Sequence, residues 1–187
     1  MAVPQSRLSI EDYLAWENEQ PDRNEYYRGE VFAMVGARRV HGRVVTNLVR
    51  RLSEALDGTP CQVFAETMKL QVSDDAVFYP DLMVTCDPSD LETDMVFRSP
   101  TLIVEVLSPS TQAFDRGLKF AAYRRLASLR EYILVDPETR VVEGFRLDEH
   151  GKWVLYDMSS GAAFEAASIG CSIAMEAVFA GVSLLAG

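Results

Sequence analysis

Hydrophobic positions along this chain recur with two periods, and the switches between them predict the elements. From Val40 to Leu56, the residues Val44, Val45, Leu48, Leu52 and Leu56 return at three- and four-residue steps, the spacing of one helix face. At about 100° per residue, Arg39, Arg43, Asn47 and Arg50 fall together on the opposite side. Gly58-Thr59-Pro60 stops that helix. Ahead of it, Ser9-Ile10-Glu11-Asp12 has the form of a capping box, opening a helix to about Gln20 that Pro21-Asp22 ends. Asn24 to Met34 is rich in aromatic and β-branched residues around Arg28-Gly29, which predicts a hairpin.

Three strand-like runs follow: Cys61 to Val72, Val77 to Thr85, and Thr101 to Leu107. The third is almost continuously apolar, as a central strand covered on both faces would be. An acidic, proline-containing loop, Asp87 to Pro100, separates it from the second. A second helix is expected from about Asp115 to Leu129, with Leu118, Ala122, Leu126 and Leu129 as its apolar seam. Strands are then expected at Tyr132 to Asp136, Arg140 to Leu147 and Lys152 to Tyr156, with a short strand and a small apolar helix in the tail, Ala163 to Ala186. The order from Val40 to Asp136 is α-β-β-β-α-β. It predicts an α/β class protein, a mixed sheet with helices against it, preceded by a helix and hairpin and followed by β additions.

A length of 187 residues without repeat, low-complexity tract or linker suits one domain over positions 1–187. Met1 to Gln5 has no basic region followed by an apolar run, so no secretory signal is expected. The apolar tail from Ala174 to Ala186 is interrupted by Glu176 and falls short of the ~20 residues a bilayer span needs. The expectation is a cytoplasmic protein with no membrane partner. Cys61, Cys86 and Cys171 stand singly, without C-x-x-C spacing, and read as small buried apolar residues rather than a disulfide framework or zinc ribbon.

A net charge of −10 argues against an anionic partner until its distribution is considered. Arg38, Arg39, Arg43, Arg50 and Arg51 lie in a window without an acid, and so do Arg116, Lys119, Arg124, Arg125 and Arg130. Ten of the 18 cations thus occupy two short stretches, leaving eight against 28 acids elsewhere. Such asymmetry suits a local surface for an anionic ligand, or two ordinary solvated helix faces.

Glu105 carries the chemical reading. A carboxylate inside Leu102-Ile103-Val104-Glu105-Val106-Leu107 is costly unless paired or bound to a metal. Asp81, in Phe78-Tyr79-Pro80-Asp81-Leu82-Met83-Val84, has the same character. If the two strands are neighbours, both acids converge. With water and a strand carbonyl such as that of Val106, they make an oxygen-rich site suited to Mg²⁺ or Mn²⁺ rather than zinc. Asp115, Lys119 and Tyr123, spaced i, i+4 and i+8, share one helix face, which brings an amine within reach of such a site. Lys119 alone could equally be a surface lysine paired with Asp115, and Lys69 is a second candidate for the amine.

These residues form a series: Tyr79-Pro80-Asp81-Leu82, then Glu105-Val106-Leu107-Ser108-Pro109-Ser110-Thr111, then Asp115, Lys119 and Tyr123, then Glu131-Tyr132 and Val135-Asp136-Pro137. The series resembles the Uma-type restriction endonucleases, a large bacterial family within the PD-(D/E)xK nucleases. Glu25-Tyr26, Gly29-Glu30-Val31 and His41 also look like that family, and the resemblance covers about Ser9 to Phe145. It implies a restriction-endonuclease-like fold with an αβββαβ core and Mg²⁺-dependent hydrolysis of DNA phosphodiesters. Asp81 and Glu105 would be metal ligands and Lys119 the catalytic lysine. Position 107, where the usual signature has its lysine, is Leu107, so the amine has moved to the following helix.

Accessory roles are open at several positions. His41 reads either as a core histidine or as a group touching phosphate or metal-bound water. Glu25 and Glu30 are either extra ligands or hairpin residues. Ser108 either contacts phosphate or caps the next helix, and Tyr123 supports Lys119. Arg39, Arg43 and Arg50 would grip the DNA backbone. A homodimer is expected of a nuclease this small, since cutting two strands is simplest with two-fold symmetry. The alternative is a non-catalytic nucleic-acid-binding or regulatory module on the same fold; a structural homo-oligomer with a buried Glu105–Lys119 salt bridge is a third reading.

Overall fold

Ser9 caps the first helix, α1 (Ile10–Glu17), by accepting the Asp12 N–H, as the Ser9–Asp12 pattern predicts. The computed structural model describes residues 8–34 and 36–183. The positions read for a leader, Met1 to Gln5, and the end of the apolar tail lie outside the described residues. Strands β1 (Asn24–Tyr27) and β2 (Glu30–Ala33) pair antiparallel through the two-residue turn Arg28-Gly29. Both turn residues have positive φ, 50° and 88°, the conformation that keeps a tight hairpin in register with strand twist.

The predicted amphipathic helix is α2 (Arg39–Leu56). Val44, Leu48 and Leu52 are wholly buried there, so truncating either leucine to alanine would cost about 2–5 kcal/mol. Beyond it the two long runs each divide in two. The first gives β3 (Gln62–Phe64) and β4 (Lys69–Ser73), the second β5 (Ala76–Phe78) and β6 (Leu82–Thr85). Each break is a passage between sheets, because β3 and β6 belong to a six-stranded sheet and β4 and β5 to a five-stranded one. Pro80, with no N–H to give to a ladder, stands in the second break.

The acidic loop contains a short helix, α3 (Pro88–Leu91), and a two-residue strand, β7 (Val96–Phe97). The apolar run becomes β8 (Pro100–Val106), which pairs antiparallel with β6 and, on its other side, parallel with β9 (Glu131–Val135). The connection between β8 and β9 differs from the expected helix over 115–129. It consists of α4 (Gln112–Phe114), a π-helical turn (Asp115–Lys119) and α5 (Phe120–Tyr123). Helix ends there because Ser128 and the Arg130 N–H bond to the carbonyls of Pro100 and Thr101, drawing the chain into β9.

Strands β10 (Val142–Leu147) and β11 (Trp153–Asp157) complete the larger sheet, in the order β11-β10-β9-β8-β6-β3. The smaller sheet runs β2-β1-β5-β4-β7. The tail holds two strands rather than one, the hairpin β12 (Ala163–Ala166) and β13 (Cys171–Ala174), and then α6 (Met175–Val178). α2 and the tail pack on one face of the larger sheet through Leu48, Leu52, Val84, Leu102, Val104, Phe164 and Val178. The other face packs against the smaller sheet and α5, with Phe78, Met83, Ile103, Tyr123 and Leu134 at its centre. The mixed α/β class and the αβββαβ order (α2, β3, β6, β8, the helical connection, β9) are as expected.

One other expectation is corrected. Cys61 and Cys86 form a disulfide 25 residues apart, since the β3–β6 register sets Gln62 opposite Thr85 and so brings the flanking cysteines together. Cys171 is free and buried, as read. On the outer side of α2, Arg39, Arg43 and Arg50 are exposed as expected, while Asn47 is covered. Asn47 is buried and donates to the carbonyls of Val178 and Ala180, Arg43 donates to Ala180 and Arg39 to Ser183. Arg50 and Arg51 pair with Glu54. The C-terminal segment thus lies along part of a helix side whose arginines stay exposed. Among the described residues, no helix is long and apolar enough to cross a membrane.

Candidate active site

Separate elements bring one side chain each to a common point. Glu105 stands near the end of β8, buried between β6 and β9. Asp81 lies where the chain passes from β5 to β6. The Asp81 N–H donates to Glu105 Oε2 at 3.1 Å, and the Val106 N–H donates to Asp81 Oδ2 at 2.7 Å. The two acids are thus fixed to each other through backbone. Val106 contributes its N–H to this arrangement.

Lys119 closes the π-helical turn, and its ammonium is enclosed by three carboxylates. Nζ lies 2.9 Å from Glu25 Oε1, 3.3 Å from Glu105 Oε1 and 3.6 Å from Asp115 Oδ1. The Tyr123 hydroxyl donates to Glu105 Oε1 at 2.9 Å, and the Tyr79 N–H to Glu25 Oε1 at 3.0 Å. Asp115, Lys119 and Tyr123 therefore share a face as read. Glu25, one of two open candidates on the hairpin, is part of the cluster, while Glu30 is exposed on β2. Lys69 is elsewhere, donating to Asn18 at 2.8 Å.

One amine cannot balance three buried acids. Burial pushes the Glu105 carboxyl well above the usual range, against the pull of Lys119, and the charges of Asp81, Asp115 and Glu25 push it further. Burial likewise pushes Asp115 up to about 6, with Lys119 again opposing. Burial pulls the Lys119 ammonium down, but Glu105, Glu25 and Asp115 outweigh it and hold the amine above the ordinary lysine range. The result is a lysine held in its charged form beside two carboxyls, Glu105 and Asp115, that ionise less readily than usual.

His41, in the first turn of α2, faces the other side of Asp81, with Nε2 3.1 Å from Oδ2. Burial pulls its pKa down; the hydrogen bond and charge of Asp81, with Glu66 and Asp115, reverse that and raise it. Its Nδ1 is buried with no hydrogen-bond partner. Sequence reasoning missed Glu66, in the passage from β3 to β4. One ligand atom from each of His41, Glu66 and Asp81 lies within 4.8 Å of the others. The available signal was an acid in a run read as continuous strand, the same oddity that singled out Glu105.

Glu25, His41, Glu66, Asp81, Glu105, Asp115 and Lys119 all line one cleft of about 900 Å³. Asp81, Glu105 and Lys119 line it with Ser108, whose hydroxyl bonds within the turn to Ser110 and Thr111. The lining includes six acids, Asp22, Glu25, Glu66, Asp81, Glu105 and Asp115, against the cations Arg23, Arg38 and Lys119. Arg38 is paired with Glu138 and Lys119 is enclosed, so the cleft carries surplus negative charge.

Similarity to known proteins agrees with this architecture. The chain resembles an uncharacterized protein, slr1290, of Synechocystis, with 33% identity over 97% of this chain and 96% of that one. A second uncharacterized Synechocystis protein, sll1609, is 31% identical over 81% of this chain and 87% of its own length. In structure, the fold matches a crystal structure described as "a putative nuclease belonging to DUF820" from Anabaena variabilis. The TM-score is 0.76 at 15% identity, covering 92% of this chain and 97% of that one. Residues 10–176 match the Uma2 model, described as "Putative restriction endonuclease", and the chain belongs to that family.

Proposed function

We propose that this protein is a divalent-metal-dependent endonuclease that hydrolyses phosphodiester bonds in DNA, with Asp81, Glu105 and Lys119 at its centre. The observation that carries the reading is the convergence of those three side chains, from a sheet-to-sheet passage, a central strand and a π-helical turn, on one cleft. The surplus of carboxylates suits a hard cation such as Mg²⁺ or Mn²⁺, which takes oxygen donors. Asp81, partly exposed beside the buried Glu105, is the acid best placed to hold it. When bound, the ion supplies Lewis-acid charge and a more acidic water.

The chain's own residues do the rest. Lys119, held charged, donates to a phosphate oxygen as negative charge develops there. Glu25, Glu105 and Asp115 fix the amine, and Tyr123 limits the orientations of Glu105. Ser108 offers a hydroxyl at the cleft edge. A second reading, a non-catalytic module on the same fold, is favoured by the engagement of Arg39 and Arg43 with the C-terminal segment, which weakens the grip on a duplex.

Incubating the purified protein with plasmid DNA in Mg²⁺, in Mn²⁺ and in chelator separates the two. Nicking or linearisation with metal, stopped by chelator and by Asp81→Asn, supports the enzyme. Binding without cutting in every buffer supports the module, and cutting by Asp81→Asn at the wild-type rate refutes the assignment of the centre.

A further inference from the structure

Taking the metal-dependent reading as its basis, we infer that the divalent ion is seated by His41, Glu66 and Asp81, and that Glu105 is a positioning residue rather than a ligand. Donors bound to one ion at about 2.1 Å lie within about 4.2 Å of one another. The 4.8 Å spread of the three groups needs only small side-chain shifts to meet that limit. Among the described residues, no lysine or arginine pairs with Glu66 or Asp81; the salt bridge Asp81 forms is with His41. Two carboxylates without an interposed cation repel each other, and a dication removes the repulsion.

The chain holds this group together. Glu66 has φ 51°, a left-handed conformation that a non-glycine residue rarely adopts. Its N–H donates to the Pro80 carbonyl at 3.3 Å, so the passage carrying Glu66 is bonded to the passage carrying Asp81. His41 is 7% exposed, and of its two ring nitrogens Nε2 alone has a partner, Asp81. The imidazole is thus buried against the very carboxylate an ion would share.

Glu105 has the opposite surroundings. It is 1% exposed; Oε1 already accepts Tyr123 and Lys119, and Oε2 accepts the Asp81 N–H. Both oxygens are engaged before any ion arrives. An imidazole among the donors also favours Mn²⁺ over Mg²⁺, which prefers oxygen throughout.

The test is Mn²⁺ titration of the full chain followed by electron paramagnetic resonance, with ¹⁴N modulation of the bound ion as a second readout. The expected result is one ion with histidine modulation that survives His150→Gln, since His41 and His150 are the two histidines of the chain. Glu66→Gln weakens Mn²⁺ at least tenfold, and Glu105→Gln shifts it less than threefold while abolishing cutting. Absence of histidine modulation, or a loss in Glu105→Gln as large as in Glu66→Gln, overturns the inference. Thermal melts show that the variants compared are folded, and the modulation is read on wild-type protein and on His150→Gln. Metal-dependent cutting with a different ligand set sinks this inference alone; plasmid cutting that persists in chelator sinks the metal-dependent reading as well.

Discussion

Glu105 and Glu131 are both buried carboxylates on paired neighbouring strands, β8 and β9, and their surroundings divide them. Glu131 is 0% exposed, with Oε1 accepting the Arg146 guanidinium at 2.7 Å and Oε2 the Ser168 N–H at 2.9 Å. One cation and one backbone donor satisfy one acid, and the result fastens the β12–β13 hairpin region to the large sheet. Glu105 shares its cation with Glu25 and Asp115 and lines the cleft. Burial alone therefore does not tell the two acids apart. Imbalance does: a cluster with more carboxylates than partners, open on one side, is arranged for something that comes from outside.

Four experiments would break or sharpen that contrast. The largest effect is expected from Lys119→Ala, which removes the amine and should lower the rate of metal-dependent plasmid cutting by about 10²–10³-fold; a loss below threefold would erase the distinction between the two acids. Next is Glu131→Ala, which takes the carboxylate partner from the partly buried Arg146 guanidinium. Denaturant melts should show a loss of about 3 kcal/mol, typical of breaking a buried pair, or roughly 6–12 °C in Tm for a chain of this length. Cutting per folded molecule should be unchanged.

A smaller effect is the pH dependence of Asp115. Its pKa rises on folding from 3.8 to about 6, so its protonated form favours the fold. That contribution is complete below about pH 4 and lost as pH rises through about 6. In metal-free buffer, the Tm of wild type minus that of Asp115→Asn should fall between pH 4 and 7 and level off above. A flat difference would mean that the surplus acid is balanced by groups other than a proton. The smallest effect is expected from Arg43→Ala: its guanidinium already bonds the Ala180 carbonyl, so affinity for DNA should change less than twofold, read by anisotropy. A tenfold loss would return the α2 arginines to the binding surface.

The sequence announces what depends on local pattern. The seam of α2, the hairpin turn at Arg28-Gly29 and the acid in an apolar strand are each written in consecutive residues, and all three hold. So does the helical face of Asp115, Lys119 and Tyr123, although a π-helical turn replaces the expected α-helix over part of it. What stayed hidden depends on chain paths. Nothing around Cys61 or Cys86 states that β3 and β6 are adjacent, and nothing in Asn47 states that the C-terminal segment lies over it. Glu66 is hidden because its run has the pattern of one strand, whereas the chain leaves one sheet for the other around that residue. Two such crossings, bonded to each other, bring Glu66 beside Asp81, and no periodicity encodes that.

The wide turn at Asp115–Lys119 has a consequence for how such a chain could change over time. A π-turn amounts to one extra residue accommodated in an α-helix. Gly117 in its middle has open space around it. Losing that single residue would let the segment rewind as ordinary helix and swing Lys119 by about 100° relative to the residues before it. Such a deletion would turn the ammonium away from Glu105, so the meeting of Lys119 with that acid hangs on a single codon.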